Sequence, residues 1–121
     1  MKFLSFALAI ALVVSGSCTD HDINDNACAV SDPATDLPWL AAEIAELEQS
    51  SLARYLYVKQ SRHKSESVFI FANCCPFCSS VYTVFNCAGE RIGSIGEQEF
   101  PLELLSNGRT IWKADDSACA L

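Results

Sequence analysis

The sequence predicts an α+β domain: one N-terminal amphipathic helix packed on a four- to five-stranded antiparallel sheet, stabilised by disulfides. Three observations predict it. Leu37, Leu40, Ile44 and Leu47 recur at helical spacing and make one apolar stripe. From Arg54 onward the period changes to two, in short β-branched and aromatic runs separated by polar turns. Finally, the chain of 121 residues carries seven cysteines, six of them after the N-terminal segment. That density fits an exported domain better than a cytosolic one.

The N-terminus reads as an export signal. Met1–Lys2 is a short positive start, Phe3–Val14 (FLSFALAIALVV) is nearly unbroken apolar, and Ser15–Gly16–Ser17 are small. This pattern marks residues 1–17 as a signal peptide. The apolar run is shorter than the roughly 20 residues that span a bilayer core. Two cleavage readings compete. In plain secretion Cys18 becomes the first residue, with a free thiol. In the lipoprotein reading cleavage precedes Cys18, and its sulfur takes a diacylglycerol with palmitate-type chains. Ser15 stands where the best lipoprotein signals carry Leu. Parity favours lipidation, because an exported chain with seven cysteines otherwise leaves one unpaired. The expected location is the bacterial cell envelope, at the outer membrane on its periplasmic or surface face. The membrane partner is reached through lipid on Cys18.

Cleavage before Cys18 leaves 104 residues, with 7 basic against 15 acidic. That length suits one domain. The acidic balance argues against nucleic acid and against charge-driven binding to anionic membranes. Residues 18–35 are expected to hold the lipidated cysteine and an acidic, mostly irregular tether. Thr19–Asp36 contains five Asp, two Asn and one Pro, with little to bury. Asp20, Asp22, Asn24 and Asp25 faintly echo a calcium loop, but its sixth and twelfth positions hold Asp25 and Ser31 instead of Gly and Glu.

Residues 36–121 are expected to form the single domain. The helix covers 37–51, with Asp36 as N-cap and Pro38 in the first turn, where its missing N–H is harmless. Trp39 is expected to pack at the helix start. Arg54–Gln60 alternates as a first strand, with Tyr55, Tyr57 and Lys59 on one face and Leu56 and Val58 on the other. Ser61–Ser67 is a polar turn. Val68–Ala72 (VFIFA) is apolar on both faces and therefore central. Ser80–Phe85 is a third strand, Arg91–Ile95 a fourth after the Asn86–Glu90 turn, and Thr110–Lys113 a last one. A helical turn is expected around Phe100–Leu105.

Cys74–Cys75–Pro76–Phe77–Cys78 admits three readings. The structural one is disulfides: Cys28, Cys74, Cys75, Cys78, Cys87 and Cys119 are the candidates, and six cysteines allow about 15 connectivities. Cys74 and Cys75 should pair outward to different partners. The redox reading takes Cys75 and Cys78 as a C-x-x-C catalytic pair, which works when the first cysteine opens a helix and the dipole lowers its pKa. Here Val81–Phe85 follows, a strand-forming run. The zinc reading needs Cys74, Cys75, Cys78 and Cys87 as ligands but lacks a second C-x-x-C. Other chemistry is thin. His21 lies in the tether, and His63, with Arg62 and Lys64, in a solvated turn. No G-x-S-x-G is present, and Gly93-x-x-Gly96 has no phosphate-loop context. The expectation is a non-enzymatic, monomeric binding or structural accessory domain without cofactor or metal, with an unknown envelope protein as possible partner. A periplasmic thiol–disulfide oxidoreductase is the alternative.

The order of lipoprotein cysteine, acidic spacer, Asp36–Leu37–Pro38–Trp39–Leu40, Tyr55 and Tyr57, Val68–Phe69–Ile70, Cys74–Cys75, Val81–Tyr82, Cys87-x-Gly89, Ile92, Ile95–Gly96 and Ile111–Trp112 resembles small lipoproteins of Bacteroidetes-type bacteria. These are classed as a domain of unknown function. The resemblance spans about residues 36–113 and implies the fold and an envelope location. It implies no catalytic residues. After Ile95 this chain has only GSIGEQEFPLELL, where that family carries a longer Gly-rich, Cys-containing stretch.

Overall fold

A strand that is apolar at every position must be covered on both faces. The VFIFA run meets that requirement. The structure, a computed structural model, describes residues 27–79 and 81–121. It holds a five-stranded antiparallel sheet of β1 (Leu56–His63), β2 (Glu66–Asn73), β3 (Thr83–Phe85), β4 (Arg91–Ser94) and β5 (Arg109–Lys113), in the order β4-β3-β2-β1-β5. The apolar run lies in β2, at the centre.

Alternation along β2 divides the core in two. Val68, Ile70 and Ala72 join Tyr57, Val84, Phe100, Leu104 and Leu105 on one face. Phe69 joins Val58, Leu40 and Ile44 on the other. The second face is covered by helix α2 (Pro38–Gln49), whose Leu40 and Ile44 are buried. The first is covered by the long connection from β4 to β5. That segment crosses from one sheet edge to the other and carries the short helix α3 (Leu102–Ser106). Lys59 Nζ donates to the Leu105 carbonyl at 3.2 Å, beside the Gly108 N–H that the same oxygen accepts at 3.1 Å, and so ties the end of α3 to β1.

Several sequence expectations change. The polar stretch 61–67 is mostly strand, not turn. β1 and β2 pair from Leu56↔Asn73 to His63↔Glu66, leaving only Lys64 and Ser65 to reverse the chain. Both take positive φ, 50° and 66°, as a tight hairpin turn of this twist requires. β3 is shorter than 80–85 because Tyr82 is drawn into the preceding loop, where its hydroxyl donates to the Asn73 carbonyl at 2.9 Å. Asp36 does not cap α2: the N-cap is Leu37, without a side-chain bond, and Asp36 Oδ2 instead accepts the Asp32 N–H at 2.9 Å. The acidic segment is not irregular throughout. Ala27–Ala29 forms a turn in which Cys28 and Ala29 take positive φ, 59° and 60°, and Pro33–Asp36 forms a short helix, α1, with Pro33 buried. More than one helix is therefore present.

There are three disulfides among the described residues: Cys28–Cys87 and Cys74–Cys119 join segments far apart in the chain, and Cys75–Cys78 closes a local turn. All six cysteines after Cys18 are paired, and the neighbours Cys74 and Cys75 do pair outward to different partners. Cys28 and Cys87 pack against the α2 face of the sheet and Cys119 against the other.

Candidate functional site

Cys75 and Cys78 follow β2 directly, in the loop that leads to β3. Their disulfide closes a four-residue turn, with the Cys78 N–H near the Cys75 carbonyl at 3.4 Å. Asn73 brackets this loop. Its Oδ1 accepts the Cys75 N–H at 3.2 Å, and its Nδ2 donates to the Ser79 carbonyl at 3.2 Å. No helix starts at the pair; β3 follows. The dipole that would stabilise a Cys75 thiolate is therefore missing. Cys75 is buried and Cys78 half-buried, while Pro76 and Phe77 project to solvent.

The other cysteine pairs tie down the chain's flanks. Cys74 donates its N–H to the Tyr55 carbonyl at 2.9 Å, one step beyond the β1–β2 ladder, and the Cys119 sulfur lies 3.5 Å from the same oxygen. The Ala118 N–H donates to the Arg54 carbonyl at 2.8 Å, so the C-terminal tail runs beside the start of β1. The zinc reading needed four free thiolates; those four sulfurs are distributed over three disulfides. Among the described residues no group of three or more His, Cys, Asp or Glu is placed to hold a metal ion.

The hairpin tip differs from the solvated turn the sequence suggests. His63 lines a cleft of about 530 Å³ with Ser61, Lys64, Glu99, Glu103 and Asn107. Its ring lies 4.8 Å from that of Phe100 and its side chain is only 19% exposed. Nε2 is buried without a hydrogen-bond partner, 4.0 Å from Glu99 Oε1. Glu99 belongs to the outer rim. The hydrogen bond from Lys64 Nζ, at 2.7 Å, and the Lys64 charge hold its carboxyl below the usual value of 4.5. Arg62 Nη2 donates to the Ser65 carbonyl. No nucleophile–base pair arises here.

Trp39 serves packing. Its ring meets Phe69 edge-on at 5.7 Å, and its indole N–H donates to the Cys87 carbonyl at 2.8 Å. Cys18 and His21 lie outside the described residues. Sequence reasoning missed two features: the exposure of Phe77, 72%, and the burial of His63 beneath Phe100. The C-P-F-C spacing was a signal for the first, since a disulfide across two residues forces the intervening side chains outward.

Comparison of the chain with protein-family models, curated proteins and solved structures gives no match in any of the three. Among the described residues no helix is long and apolar enough to cross a membrane.

Proposed function

We propose that this protein is a lipid-anchored accessory domain of the bacterial cell envelope, acting by binding rather than by catalysis. Residues 1–17 serve as its export signal, and it is held at the outer membrane by acyl chains on Cys18. The observation that carries this reading is the complete pairing of the six cysteines from Cys28 to Cys119. That pairing leaves Cys18 as the odd one in the sequence, at the position where a lipoprotein is acylated. The resemblance to small Bacteroidetes-type lipoproteins points the same way. Acyl chains contribute about 0.8 kcal/mol per buried CH2, so several on one cysteine hold stably. Growth with labelled palmitate tests the anchor. Label should enter the protein and vanish in Cys18→Ala; no incorporation, or label that survives the substitution, refutes it.

A second reading, thiol–disulfide exchange at Cys75–Cys78, is favoured by the presence of that bridge at a surface turn. The strand that follows it weighs against the reading. Insulin-reduction turnover that Cys75→Ser abolishes would establish it in place of the first.

A further inference from the structure

The disulfides divide between the two ends of the sheet. β3 runs toward the hairpin tip, so the turn after it, with Cys87, lies at the tip end; Cys28, Ser65, Ser67 and Cys87 line one shallow cleft there. Cys74, Cys75, Cys78 and Cys119 lie at the other end, just past Asn73. The eight residues of β2 separate these ends, about 25 Å at a strand's rise. The bond from Cys28 to Cys87 therefore fixes where the preceding chain joins the domain, at the tip end. The opposite end faces away from it.

At that opposite end stands Phe77, 72% exposed, with Val81 60% exposed close by in sequence. A lone exposed apolar side chain is ordinary on a protein surface; the informative observation is a patch, and these two lie on one loop. Phe77 is not a loose loop residue. Its turn is closed by Cys75–Cys78, braced by Cys74–Cys119, and bracketed by both amide atoms of Asn73. Its ring stands edge-on to Tyr55 at 5.9 Å, and the Arg54 guanidinium lies 5.4 Å from the Tyr55 ring centre. No carboxylate of the described residues forms an ion pair with Arg54. Aromatic and Arg side chains dominate binding hot spots, and a rigid loop loses little entropy when it docks.

We propose that the Cys75–Cys78 turn is a protein-docking knob. Phe77 and Val81 insert into an apolar pocket of an envelope partner, and a carboxylate on the pocket's rim pairs with Arg54. The inference rests on the accessory-binding reading and names its surface. A bilayer is the poorer occupant, because the acidic chain, with a net charge of -7, is repelled by anionic lipid.

Photocrosslinking of the full chain in the cells that make it tests this, with p-benzoylphenylalanine placed at position 77, 81 or, as control, 64. Positions 77 and 81 should give one discrete protein adduct and position 64 none. The crosslinked peptide should map to an apolar pocket bearing Asp or Glu. Arg54→Glu should lower the yield about tenfold, and reversing the partner's carboxylate to Arg should restore it. Intact mass of each variant, with three disulfides retained, excludes misfolding as the cause. Adducts to lipid alone, adducts to a second copy alone, adducts indifferent to Arg54→Glu, or none at all overturn the proposal. Palmitate labelling of the same cells reports the anchor separately: label without adduct removes the knob, and adduct without label removes only the anchor.

Discussion

The indole N–H of Trp39 reaches across 48 positions to the carbonyl of Cys87, at 2.8 Å. It joins the start of α2 to the turn that also holds the Cys28 disulfide. The same ring lies over Gly89, whose φ is +79°; a Cβ there would come within 2.8 Å of Trp39. Trp39→Phe keeps a ring and loses the bond, and should destabilise by about 1–2 kcal/mol. Gly89→Ala meets both the ring and a left-handed backbone, and should destabilise by at least about 1–2 kcal/mol. Urea unfolding of the two variants checks both; wild-type stability in either shows that this contact contributes nothing.

The disulfides should rank by the chain they close. Their sequence separations are 59 for Cys28–Cys87, 45 for Cys74–Cys119 and 3 for Cys75–Cys78. The chain-entropy account gives about 4, 4 and 2 kcal/mol in that order. Paired Cys→Ser variants, unfolded in urea without reductant, should show the Cys75/Cys78 variant as the mildest. Equal losses in all three would reject the entropic ranking.

The hairpin turn carries strain that the sequence does not relieve. Ser65 sits at φ 66°, where an L-residue is disfavoured by about 1–2 kcal/mol. Glycine would remove that at an entropic penalty of roughly 0.5–1 kcal/mol. Ser65→Gly should therefore raise stability by about 0.5–1 kcal/mol, read as a higher melting temperature. Lys64→Gly should gain less, because it also loses the bond to Glu99.

Alkaline stability should report Tyr57. Burial, and secondarily the neighbouring Tyr82, push its hydroxyl above the usual 10.0. The folded state holds that proton more tightly than the unfolded chain. The associated stability is therefore present below pH 10 and lost as pH rises above it through the raised folded value. Tyr57→Phe should flatten this alkaline limb while leaving the neutral region level with or above wild type. An unchanged limb would assign it to other groups.

What could be read in the chain follows from how local each cause is. VFIFA announces a central strand because its own residues demand cover on two sides. The even count of cysteines announces full pairing. Connectivity could not be read, because Cys28 meets Cys87, and Cys74 meets Cys119, only once the sheet has assembled. The hairpin was misjudged because Lys64 and Ser65 turn without the Asn-Gly or Gly signal that usually marks such turns. His63 looked solvated because Phe100, which covers it, comes 37 positions later on the connection that crosses the sheet.

The placement of the disulfides also sets how the domain carries load. Tension entering at Cys28 passes through a covalent bond to the turn after β3. Resisted at Cys75 and Cys78, it runs lengthwise along β3, whose backbone joins Cys78 to Cys87. The load is then carried by covalent bonds, and α1 and α2, which lie between Cys28 and β1 in the chain, stay outside its path. A domain stapled this way is stiff along one line, from Cys28 through Cys87 to Cys78.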